Sequence, residues 1–161
     1  MTSNMWDISL NDGTMGTLTP PDEIVAIQCK HLDKMTDEKV IARILPQRGS
    51  GTGYNSLASA FQFEFIITAP HVPYYRYSIM RIRYGIEYYP LTIEVDGDIA
   101  EEMGISVMSI IEVQDEDVFT SILSKIINSK KVKSVVNSLY SLHKSHERKN
   151  RVLFEEEDES F

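Results

Sequence analysis

Apolar and polar side chains alternate most clearly at Phe61, Gln62, Phe63, Glu64, Phe65 and Ile67, the period-two signature of a strand with one buried aromatic face. Thr68-Ala69-Pro70 should end it. After His71-Val72-Pro73 comes a run of β-formers, aromatics and arginines over 74–84. Strict alternation there sets Tyr77, Ile79, Arg81 and Arg83 on one face, and Arg76, Ser78, Met80, Ile82 and Tyr84 on the other. Neither face is purely apolar, as expected of a strand partly open to solvent or to a partner. Gly85 begins a turn, 91–95 is another strand, and 105–113 is β-like again. The pattern predicts an antiparallel sheet of three to five strands over about 57–113.

A period of 3.6 replaces the alternation further on. Val118, Phe119, Ile122, Leu123, Ile126 and Ile127 form an apolar stripe behind Asp115 or Asp117 as N-cap, predicting a helix to about Asn128. Val132, Val135, Val136, Leu139 and Leu142 predict a second helix over about 131–147. The link at 128–130 is short, so the two should pack as a hairpin. The fold class is therefore α+β, a sheet against a C-terminal helical hairpin at about 115–147.

Shorter signals fill in the rest. Asp98 and Glu101 have capping-box spacing for a helix over 99–103, with Gly104 closing it. After Pro21, Asp22 and Glu23 favour a helix start, although 23–28 is also β-rich. Residues 40–45 suit a short helix or a strand, stopped by Pro46. Residues 1–20 read as an extended arm in which Trp6, Ile8 and Leu10 alternate, with Trp6 expected against the core. Residues 21–150 form the single α+β domain, and 151–161 an acidic, flexible tail.

Composition narrows the class. The chain has 161 residues, 42% of them hydrophobic and 25% charged, enough for one folded domain without disulfide or metal support. A single cysteine, Cys29, allows no internal disulfide and suits a reducing compartment. The first residues have neither a basic nor a continuous apolar stretch, and no apolar run approaches a membrane span, so a cytoplasmic location and no membrane partner are expected. The net charge of −8 is uneven. Residues 1–124 carry a net of −10, 125–154 a net of +7, and 155–161 a net of −5. A basic segment beside an acidic end raises the idea that the one screens the other.

Catalytic signatures are absent from the sequence. Arg48, Gly49, Gly51 and Gly53 make a glycine-rich loop able to take an anion, but the Walker lysine is missing and the dinucleotide spacing is broken. Asp96, Asp98, Glu94, Glu101 and Glu102 form an acidic cluster, of which capping explains Asp98 and Glu101 without a metal. His143 and His146 share a helix face without the glutamate of a zinc-protease motif, and Cys29 reads as a structural core residue. No cofactor or metal is expected.

What remains is a binding surface. Five of the eight tyrosines fall between Tyr74 and Tyr88, among the arginines of an otherwise acidic chain. Tyrosine and arginine are enriched in binding hot spots because each joins packing area to polar reach. Tyr75, Arg76, Tyr77, Arg81, Arg83 and Tyr84 are the candidate partner-binding residues. The expected function is a non-enzymatic protein-interaction module, a small accessory or antitoxin- or immunity-like protein, with the homodimer as a variant. Nucleic-acid binding through the same strand and the basic segment is the alternative, and a phosphate-handling enzyme a second one.

Overall fold

A computed structural model describes residues 3, 5, 6, 19–47, 61–106 and 110–159, with 150–159 as helix backbone alone. Among these residues, five antiparallel strands lie side by side in chain order. They are β1 (Ile41–Gln47), β2 (Phe61–Ala69), β3 (Val72–Tyr84), β4 (Leu91–Val95) and β5 (Ile111–Val113). Among the described residues four helices accompany them: α1 (Pro21–Met35), α2 (Gly97–Glu102), α3 (Glu116–Ile127) and α4 (Lys130–Glu159). The α+β class with a C-terminal helix pair is as the patterning predicts.

The sheet begins earlier than the alternation indicates. Residues 41–47 form β1, and Pro46 sits inside it opposite Phe63 instead of stopping it. A sheet edge tolerates a residue that lacks an N–H, and β1 is the edge strand. The segment before it is helical: Pro21 opens α1, Asp22 and Glu23 complement the dipole of its first turn, and Ile24, Val25 and Cys29 turn inward. Thr36 then closes α1, its hydroxyl 3.0 Å from the Leu32 carbonyl and accepting from the Val40 N–H at 3.2 Å. Asp37 and Glu38 take left-handed φ values of 52° and 60°, which turn the chain into β1.

Local caps set the remaining helix ends. The Asp115 carboxylate accepts from the Val118 N–H at 2.8 Å and starts α3, whose Phe119, Leu123 and Ile126 are buried while Val118 is exposed. Gly104, at φ 74°, ends α2 in a Schellman motif: Ile105 N–H donates to Ala100 O and Gly104 N–H to Glu101 O. The expected Asp98 cap is not formed. Asp96 holds the N-cap position of α2 without a side-chain cap bond, since its carboxylate accepts from the Tyr77 hydroxyl, and Asp98 pairs with Lys131.

The α4 N-terminus is capped from a distance, both Glu102 oxygens lying 3.0 Å from the Lys130 amide nitrogen. Its helix continues past 147 to Glu159, through a stretch without glycine or proline and rich in strong helix formers. One core cluster joins Val25 of α1, Phe65, Ile67 and Ile82 of the sheet, Ile99 of α2, Phe119 of α3 and Val132 of α4. Trp6 is 77% exposed rather than packed on that core. Ile8 and Leu10, like the Arg48–Gly53 loop with Gly49 and Gly51, lie outside the described residues. No helix among the described residues is long and apolar enough to cross a membrane.

Candidate functional site

A β-bulge decides which side chains of β3 meet which face. Phe65 pairs with Met80, but its neighbour Ile66 pairs with Ser78, leaving Ile79 as an extra residue on β3. Before the bulge, Tyr77 stands opposite Ile67 on the helix-covered face; after it, Met80, Ile82 and Tyr84 take that face. Arg76, Ser78, Arg81 and Arg83 take the other. Strict alternation had joined Tyr77 to Arg81 and Arg83, and the bulge overturns that grouping. The adjacent apolar pair Ile79-Met80, both buried, is the local signal of the extra residue.

The candidate tyrosines therefore serve the packing of the fold. Tyr84 is 7% exposed and stacks on Phe61 with ring centroids 5.2 Å apart. Burial pushes its phenol up to about 12, with the Asp22 charge and hydrogen bond adding to the effect. Tyr77 donates to Asp96 Oδ2 at 2.9 Å, and Lys131 Nζ lies 5.8 Å from its ring centre. Loss of water contact, then the Asp96 bond and charge, hold its phenol well above the usual range. Tyr75 is half-buried against the core, whereas Tyr74, outside the candidate set, is 98% exposed.

The arginines line the face away from the helices, with Arg43 of β1, Glu64 and Ile66 of β2, Glu94 of β4 and Glu112 of β5. Glu64 is buried there, and one of its oxygens takes two donors: Arg76 Nη2 donates to Oε2 at 2.6 Å and Gln47 Nε2 at 2.7 Å. Gln62 extends the chain by donating to Gln47 Oε1 at 2.7 Å. Arg81 stands in register between Glu64 and Glu94, and Arg83 between Gln62 and Thr92. Both are exposed, and among the described residues neither guanidinium has a hydrogen-bond or ion-pair partner. Arg81, Arg83, Thr92, Glu94 and Ile110 surround a shallow dent.

Two free guanidinium groups on a central strand have donors suited to planar anions. Each can grip a carboxylate or phosphate with two parallel N–H donors, and the strand holds their spacing rigid. No family model, curated protein or solved structure matches the chain. Its geometry is what bears on function.

Other chemically able side chains are placed differently. Burial raises the Cys29 thiol to about 12, helped by the Asp33 charge, so it is a poor nucleophile at neutral pH. His71, in the turn between β2 and β3, meets His143 and His146 of α4, with ring centroids 5.2 and 6.1 Å away. Spacing along the chain gave no hint of His71 joining that pair. Among the described residues no group of His, Cys, Asp or Glu side chains is arranged to hold a metal ion.

Proposed function

We propose that the protein is a non-enzymatic docking module that binds another protein through the sheet face away from the helices. Arg81 and Arg83 would receive carboxylates of the partner. The observation that carries this is their lack of any partner among the described residues, on the middle strand of a five-stranded sheet. Neighbouring Arg76 is already committed to Glu64, so the two free arginines are the surplus positive charge of the strand. A small accessory protein of the antitoxin or immunity type would use such a face. The buried thiol of Cys29 accords with a cytoplasmic setting.

The same face also supports a homodimer. Arg81 and Glu94 are cross-strand neighbours, and a two-fold axis over this face would set each arginine against the other subunit's glutamate. Nucleic-acid binding is less favoured, because the net charge of −8 repels a polyanion at long range.

Native mass spectrometry of the tagged protein, purified from its own host beside Arg81→Glu/Arg83→Glu, tests the proposal. A stoichiometric protein partner, or a dimer, that is lost in the variant supports it. A monomer without partner in both samples, or a partner retained by the variant, refutes it.

A further inference from the structure

We infer that the cleft between α1 and α4 binds a small organic anion with an apolar tail, of the class of medium-chain or aromatic carboxylates. The cleft has a volume of about 270 Å³ and lies on the helix-covered face, away from Arg81 and Arg83. It does not depend on the docking role of the other face.

The cleft follows from how the helices are attached. α1 packs on the edge strand β1, while α4 is tied to α2 by Glu102 at the Lys130 amide and by Asp98 at Lys131. The two helices are anchored toward different sides of the sheet, and the space between them opens over its middle. Phe65, Ile67 and Ile79 form the floor. Leu32 and Met35 of α1 face Val132 and Val136 of α4 across it.

Its charge is one-sided. Among the described residues, Lys133 and His31 are the ionisable side chains lining the cleft and no carboxylate lines it, in a chain with 24 acidic residues. Among the described residues neither the Lys133 nor the His31 side chain has a hydrogen-bond or ion-pair partner. An apolar floor beneath the Lys133 ammonium, the His31 imidazole and the amides of Gln28 and Asn137 matches a ligand with a hydrocarbon body and an anionic head. The α1 wall runs from Gln28 to Met35, about 10 Å at the helical rise, which is short for a docked helix and suits a small molecule.

The test is calorimetric titration with linear carboxylates from butanoate to decanoate, with 1-octanol and octylammonium as head-group controls. The affinity should rise about fourfold for each methylene buried, then level off once the cleft is full. Octanoate should bind about tenfold more tightly than octylammonium, and the exposed Lys133→Glu substitution should remove that preference without lowering the Tm. Val136→Trp, which fills the cleft, should abolish binding of the whole series. Arg81→Glu/Arg83→Glu should bind octanoate as the wild type does, so a failed docking role leaves this result intact. Absence of octanoate binding, equal binding of octanoate and octylammonium, or insensitivity to both Lys133→Glu and Val136→Trp would overturn the inference.

Discussion

Arg76 Nη2 lies 2.6 Å from Glu64 Oε2, joining a half-exposed guanidinium to a carboxylate that is almost wholly buried. This pair stands on the sheet face away from the helices, where a lone buried charge would be costly. Removing the arginine leaves Glu64 with Gln47 as its remaining side-chain donor. Arg76→Ala should therefore destabilise the protein by about 1–2 kcal/mol, less than for a fully buried pair because water reaches the guanidinium. Glu64→Gln should cost less, since the amide keeps an acceptor for Arg76. Urea unfolding of both variants measures this, and an Arg76→Ala effect inside the roughly 0.5 kcal/mol typical of surface changes would show the pair to be idle.

Tyr77 separates the two faces experimentally. Its hydroxyl is bonded to Asp96 on the helix side, so Tyr77→Phe should lower stability by about 1 kcal/mol. The same change should leave partner binding at the sheet face untouched. A loss of partner binding with unchanged stability would place the recognition surface on the helix side after all.

His71 predicts a pH dependence. Its Nε2–H donates to the Leu139 carbonyl at 2.9 Å, and its Nδ1 is buried without a hydrogen-bond partner. Loss of water contact lowers its proton affinity below the usual 6.5; the Leu139 bond opposes this, and His143 and His146 reinforce it. Glu147 sits 3.0 Å from His143 Nε2 and is the nearest counter-charge in the group. The folded protein thus binds fewer protons than the unfolded chain between the lowered value and 6.5. Stability is complete above 6.5 and should fall as the pH drops below it. Thermal unfolding at pH 7.5 and 5.5 should show a drop in Tm for the wild type and a smaller one for His71→Gln. Equal drops would assign the pH response to other groups.

Much of the fold is legible from short stretches of chain. The period-two run at 61–67 becomes β2, the apolar stripe after Asp115 becomes α3 with that aspartate as its cap, and Gly104 ends α2. The candidate site is less legible. Arg81 and Arg83 are exposed on the face away from the helices, as the mixed character of 74–84 implies, but Tyr77 and Tyr84 turn to the helices.

By itself, the sequence determined the strands, helices and caps whose causes lie within a few residues: side-chain periodicity, a carboxylate beside free N–H groups, a glycine able to take positive φ. Tertiary structure alone decided the rest, because each outcome depends on a distant partner. Ile79 becomes a bulge only when β3 meets the register of β2, and Pro46 is tolerated only because β1 is an edge. Asp96 leaves its capping bond unmade because Tyr77 reaches it, and His71 meets His143 across 72 residues of chain. Pairing between remote segments sets which face a side chain joins, and one strand's alternation carries no record of its neighbour.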